Sequence, residues 1–265
     1  MTSVAVWIAV DSRGPSSAYI ATDSRLTWGA SEHWDFGRKA FASSRYPDIT
    51  AYIGDVLFPS MLLSQYTDER DADRATDHLS SGERFAKLVE TCRLTHKDFP
   101  ASHKHPFTIV HVSREGEGMS ASFQVRTLSY RRGGWERECL RSDWERSTIV
   151  RAEGSGRDAV LAANKRWESG DSGGTSRACF SAFVDSLANG GDPHSGGAPQ
   201  LVALYRTGPG RSLGVIQGKS RFISGLPIQS SEPVPNVEWR NEFFERCDGV
   251  TRRRLKGAQR HERPS

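Results

Sequence analysis

Apolar residues 4–10 (Val4, Ala5, Val6, Trp7, Ile8, Ala9, Val10) run without a polar break and are rich in β-branched side chains. Such a run predicts a strand buried on both faces. Gly14, Pro15, Ser16 and Ser17 predict a turn. Residues 18–22 then predict a second strand, which ends at Asp23, Ser24 and Arg25. Residues 26–36 are aromatic without a clear period and are expected to be irregular. Residues 38–41 and 49–54 predict a strand pair turning at Tyr46, Pro47 and Asp48. Past Gly54 and Asp55, the positions Val56, Leu57, Phe58, Met61, Leu62 and Leu63 fit a helix. The charged run 68–74 is expected to be a solvated connection, and residues 81–94 a second helix with Phe85, Leu88, Val89 and Cys92 on one face.

The second half repeats the scheme. Strands are predicted at 107–112, 121–126 and 147–150, with a hairpin through residues 131–134. Helices follow Glu153, Gly154, Ser155 and Gly156, and again around Phe180, Phe183, Val184 and Leu187. A glycine-rich segment, 190–197, leads into strands at 201–205 and 213–216. Strands, two helices, strands, two helices and strands predict a layered α+β domain, with no βαβ repeat. Residues 1–220 are read as one domain. Residues 221–265 are read as an extension, Pro-rich and charged, with one amphipathic stretch at 237–244 and a flexible basic tail.

Composition narrows the functional classes. The chain of 265 residues can bury a full core. No run of eighteen apolar residues predicts a membrane-spanning helix, and no basic start predicts a signal peptide. Cys92, Cys139, Cys179 and Cys247 stand far apart, as expected of reduced thiols in a cytoplasmic protein. The net charge of +4 is concentrated at 251–260, which reads as a solvated tail, so a nucleic-acid partner is not expected. His33, His78, His96, His103, His105, His111 and His194 show no ligand spacing, so neither metal nor cofactor is expected. Lysine is scarce, with seven against twenty-nine arginines, which gives each one more weight.

The candidate chemistry begins at Thr2. Loss of Met1 would leave a threonine whose hydroxyl and free α-amine belong to one residue at the head of a buried strand. An N-terminal nucleophile needs this arrangement, because the amine serves as base for its own side chain. With nothing before Met1 in the sequence, an aminopeptidase rather than self-cleavage is the expected switch. Each partner also has an ordinary reading. Asp23 suits a strand-end turn, Lys39 a solvated edge, Gly54 and Gly154 helix-start turns, and Asp192 and Ser195 a glycine-rich loop.

Taken together and in order, these residues resemble the proteasome β-subunit family, including the HslV-type peptidases, within the N-terminal-nucleophile hydrolases. The likeness covers residues 2–217. It rests on Thr2-Ser3-Val4, on Thr22-Asp23-Ser24-Arg25, on Lys39 sixteen residues after Asp23, and on Tyr52-Ile53-Gly54-Asp55. Gly154-Ser155-Gly156 and Asp192-Pro193-His194-Ser195-Gly196-Gly197 complete it. The resemblance implies a four-layer αββα sandwich of two antiparallel sheets and a threonine-type endopeptidase. In it, Thr2 would attack, Asp23 and Lys39 would form the charged pair beside it, and the Gly54 N–H would meet the oxyanion. Ser155, Asp192 and Ser195 would hold the α-amine. Tyr52 would floor the specificity pocket and favour small P1 side chains. It also implies a homo-oligomeric ring, peptides or unfolded proteins as substrates, and an ATP-dependent unfoldase or other regulator as partner. A small-amide hydrolase and a non-catalytic scaffold or partner-binding protein are the alternatives. The longer turn after the first strand, the longer segment 129–144 and the extension depart from the compact bacterial members.

Overall fold

The computed structural model describes residues 2–29, 32–74, 78–140, 144–260 and 262–264. Met1, on whose removal the nucleophile expectation turns, lies outside them, as do 141–143 in the long Arg- and Trp-rich segment. In chain order the elements are β1 (Ser3–Asp11), β2 (Gly14–Thr22), β3 (Leu26–Trp28), β4 (Glu32–Trp34), β5 (Ala40–Ala42) and β6 (Asp48–Gly54). Helices α1 (Leu57–Ala72) and α2 (Ser81–Asp98) follow, then β7 (Phe107–Glu115), β8 (Ser122–Arg131), β9 (Gly134–Cys139) and β10 (Thr148–Gly154). After α3 (Arg157–Glu168) and α4 (Ser176–Ala188) come β11 (Gln200–Tyr205), β12 (Arg211–Gln217), β13 (Ser220–Ile223), β14 (Leu226–Pro227), β15 (Trp239–Asn241) and β16 (Arg246–Cys247).

Strand β1 lies between β10 and β2 in the larger sheet, whose order is β10-β1-β2-β11-β12-β13-β14, with β15 beside β12 and β16 beside β15. The smaller sheet runs β5-β6-β7-β8-β9. Alternation along β1 sends its side chains two ways. Val4, Val6 and Ile8 join Ile20, Ile49, Val110, Val112 and Phe123 in a cluster shared by the two sheets. Ala5, Trp7 and Ala9 join Val160, Phe180, Phe183 and Val184 from α3 and α4. The alanines leave room for a ring cluster in which Trp7 stacks on Tyr19 at 5.0 Å and Phe244 meets Tyr19 edge-on at 5.3 Å. A third cluster binds α1 and α2 to the smaller sheet through Phe58, Leu63, Leu88, Tyr52, Phe107 and Ile109. Burial on both faces explains why β1 is apolar from Val4 to Ala9.

The structure departs from the sequence pattern in four places, each with a local cause. Residues 14–17 are not a turn. The chain reverses at Ser12 and Arg13, and a bulge where Val10 faces Pro15 accommodates the missing proline N–H. Within the stretch expected to be irregular, β3 and β4 pair, with Leu26 opposite Trp34. The acidic run is not a free connection either. Helix α1 continues into it as far as Ala72, with Asp71 accepting from the Ser44 N–H at 2.7 Å and Arg70 buried over the Tyr46 ring at 4.2 Å. Finally, the boundary expected at 220 falls inside β13. Beyond it, β15 lies parallel to β12, Trp239 and Phe244 are buried, and Arg221 donates to the carbonyls of Glu232 and Gly249.

The ring cluster therefore uses a residue from the segment read as an extension. Phe244→Ala is expected to lower stability by about 3–5 kcal/mol, the usual cost of emptying a buried aromatic site. Urea unfolding measures it, and a loss below about 0.5 kcal/mol would show that residues past 220 do not belong to the core.

Candidate active site

The register of three strands builds the site. Val4 stands opposite Thr22 across β1 and β2, and Ser3 stands opposite Gly154 across β1 and β10. Thr2 is thus held between the ends of two neighbouring strands. Gly154 has φ of +94°, and a Cβ there would overlap the Thr2 carbonyl, so only glycine allows the approach. Thr2 is fully buried, and among the described residues its Oγ1 has no hydrogen-bond partner. Buried hydroxyls are normally paired, which marks this one out.

Asp23, just past β2, has no exposed surface. Its Oδ1 accepts the Ser3 N–H at 3.0 Å and the Lys39 ammonium at 2.8 Å. Its Oδ2 accepts the N–H groups of Arg25 and Gly196, both at 3.1 Å. Lys39, immediately before β5, is equally buried and also donates to the Arg25 carbonyl at 2.5 Å. Burial drives both groups towards their neutral forms, Asp23 up and Lys39 down. Their mutual attraction and the amide donors on Asp23 oppose that drift.

A second network adjoins the first. Ser3 Oγ donates to Ser195 Oγ at 2.8 Å, and Ser195 Oγ donates to Asp192 Oδ2 at 2.7 Å. Ser155 Oγ donates to the same oxygen at 2.6 Å, and the His194 N–H meets Oδ1 at 3.1 Å. Burial raises the Asp192 carboxyl, but these three donors outweigh it and leave the group below its ordinary value. Gly156 is required because a Cβ there would overlap Ser3 Oγ.

Six of the seven residues singled out by sequence, Thr2, Asp23, Lys39, Ser155, Asp192 and Ser195, fall within these two linked networks or beside them. Gly54 ends β6 with φ of +93°. The Tyr52 N–H points to the Lys39 carbonyl and the Asp55 N–H to the Pro106 carbonyl on the opposite edge. Alternation of N–H directions along a strand turns the Gly54 N–H to the Lys39 side. Tyr52 lies with its ring wholly inside the α1 and α2 cluster, its phenol donating to the Arg38 carbonyl at 3.1 Å and pushed up by burial. Among the described residues no group of three or more His, Cys, Asp or Glu side chains could hold a metal ion, and no helix is long and apolar enough to cross a membrane.

The sequence pattern does not single out Ser3, whose N–H serves one network and whose hydroxyl serves the other, nor Gln200, buried at the head of β11. A lone amide opening the apolar run 201–205 is the only sequence signal for the latter. Arg25 appears there only as part of a motif. Here it pairs with Asp35 at 2.7 and 2.9 Å and donates to the Pro193 carbonyl at 3.2 Å, clamping the Asp192 loop.

No protein-family model and no curated protein matches the sequence. Solved structures do match in shape. A subunit from the helical assembly of the Anbu complex of Pseudomonas aeruginosa aligns with a TM-score of 0.53 at 15% identity, over 79% of this chain and 86% of that one. Eukaryotic HslV from Trypanosoma brucei aligns with a TM-score of 0.46 at 12% identity, over 76% and 99% of the two chains. The fold is thus shared with the Anbu subunit.

Two outcomes test the electrostatics. Asp23→Asn leaves the Lys39 charge buried without its partner, and a loss of about 3–5 kcal/mol is expected in urea unfolding. Asp192, whose folded value is lowered, adds stability above its unfolded value that disappears as pH falls through the folded one. Asp192→Asn should therefore flatten the acid limb of the stability profile measured by thermal unfolding.

Proposed function

We propose that this chain is a threonine-type endopeptidase of the N-terminal-nucleophile class, built as a four-layer αββα sandwich and working in the cytoplasm within a homo-oligomeric assembly. The observation that carries the reading is the buried Thr2 hydroxyl at the head of β1, which has no partner among the described residues and adjoins a residue whose N–H binds the Asp23 carboxylate paired with Lys39.

In this mechanism Met1 is removed first, which frees the Thr2 amine. That amine, with an ordinary value of about 7.7–8.0, takes the proton from Oγ1, directly or through water, as the hydroxyl attacks a peptide carbonyl. Lys39 lowers the cost of negative charge on the oxygen, and Asp23 keeps the ammonium oriented. The Gly54 N–H receives the developing oxyanion, a donor typically worth about 2.7–4 kcal/mol. Ser155, Asp192 and Ser195 form the acceptor network for the α-ammonium. The proton then passes to the leaving amine, and water hydrolyses the ester on Thr2. In this reading Tyr52, whose ring packs against α1 and α2, floors the specificity pocket and favours small P1 side chains. The helical assembly of the Anbu complex and the shared fold support self-association here. An ATP-dependent unfoldase or similar regulator would deliver unfolded protein to such an assembly.

Thr2→Ala should keep the fold and lose roughly 10⁴-fold or more in turnover of fluorogenic tripeptides. Mass spectrometry after treatment with a threonine-directed epoxyketone should find one adduct, on a chain beginning at Thr2. Wild-type turnover by the variant, or a chain from active preparations that still carries Met1, would rule the mechanism out. Fastest cleavage after bulky aromatic residues would remove the role given to Tyr52.

A further inference from the structure

Gln200 opens β11 directly opposite Thr22, one residue before Asp23, and is 1% exposed. Both ends of its amide are occupied. Nε2 donates to the Gly37 carbonyl at 2.7 Å and is shared between the Asp23 carbonyl at 3.1 Å and Ser24 Oγ at 3.2 Å. Oε1 accepts the Lys39 N–H at 3.0 Å and the Ala40 N–H at 3.4 Å. The orientation is dictated by the partners, because carbonyls only accept and backbone N–H groups only donate. One side chain thus ties the backbone of Asp23 to the backbone of Lys39. The two residues lie on opposite sides of the seam between the sheets, and no strand ladder joins them.

The turn between β13 and β14 closes this arrangement from outside. Ser224 and Gly225 have φ of +50° and +82°. A Cβ on Gly225 would overlap Ser24 Oγ and approach Gln200 Nε2 to 3.2 Å. Ser24 Oγ in turn donates to the Ala198 carbonyl, which leaves its lone pairs for Gln200.

We propose that Gln200, seated by the Ser224–Gly225 turn, is the positioning residue that sets the Asp23–Lys39 distance and hence the charge on Lys39. This rests on the reading of that pair as part of the catalytic machinery, but the geometry concerns the pair itself. Leucine at 200 fills a similar volume and offers no polar atom, leaving two N–H groups and two carbonyls unpaired. Asparagine is one methylene too short to reach both sides. Slack between the two backbones weakens the attraction that opposes the burial of Lys39. Asp35 and Asp192 act on Lys39 in the same sense as Asp23 from further away, and neither is held by Gln200.

The chain has only seven lysines, so ¹³Cε-lysine NMR of the full-length protein can follow each titration, with Lys39→Arg assigning the Lys39 signal. Gln200→Leu and Gly225→Ala are both expected to move the Lys39 titration to lower pH. Ser80→Ala, which removes the hydroxyl of the α2 capping box, lowers the melting temperature but leaves that titration in place. In the peptidase assay Gln200→Leu should lose roughly 100-fold in kcat, the scale of an ångström-sized misplacement, with KM within about twofold. An unchanged Lys39 titration in a folded Gln200→Leu protein overturns the proposal. If that variant does not fold, an unchanged titration in Gly225→Ala does the same. Absence of peptidase turnover in the wild type would instead overturn the functional reading and leave the NMR result to decide the role of Gln200.

Discussion

The Asp23 carboxylate is the interaction on which the site depends. A carboxylate without solvent is unfavourable by many kcal/mol unless donors replace the lost water. Here four donors do so, arriving from β1, from the chain following β2, from Lys39 before β5 and from the glycine loop before β11. Each comes from a different part of the fold. Its set of donors is therefore complete only when both sheets are assembled, which ties the two sheets together at this point. Burial pushes Lys39 towards its neutral form, and the pairing with Asp23 at 2.8 Å opposes that push.

Close backbone approach is the second constraint. Gly154 lies against the Thr2 carbonyl, Gly156 against Ser3 Oγ, and Gly196 against the Arg25 guanidinium. A side chain at any of these points would push the two acidic networks apart. Ser3 bridges them, with its N–H on Asp23 and its hydroxyl on Ser195. The Asp23 and Asp192 networks are thus parts of one hydrogen-bonded unit, joined through the residue that follows Thr2.

The segment past residue 220 joins the same unit. Phe244 completes the ring cluster behind β1, and the turn at Gly225 presses on Ser24 and Gln200. A segment that looks like an appendage in sequence thus touches the neighbours of the charged pair, so changes there reach the site through packing.

The local sequence determined a good deal. Seven apolar residues in a row are enough to predict β1, because a strand covered on both faces has no position for a polar side chain. The spacing of Asp23 and Lys39 and the two glycine motifs point to the candidate site through the family they resemble, and the glycines of those motifs stand where close approaches need them. Other features depend on partners distant in the chain. Arg70 and Asp71 look solvated until β5 and β6 are placed beside α1. Trp239 and Phe244 look amphipathic until β12 and α4 cover them. Gln200 is an unremarkable amide by its neighbours in sequence. Its meaning comes from Asp23, Gly37 and Lys39, which only the tertiary structure brings within hydrogen-bonding distance, because an amide is satisfied by whatever the fold sets around it rather than by any local pattern.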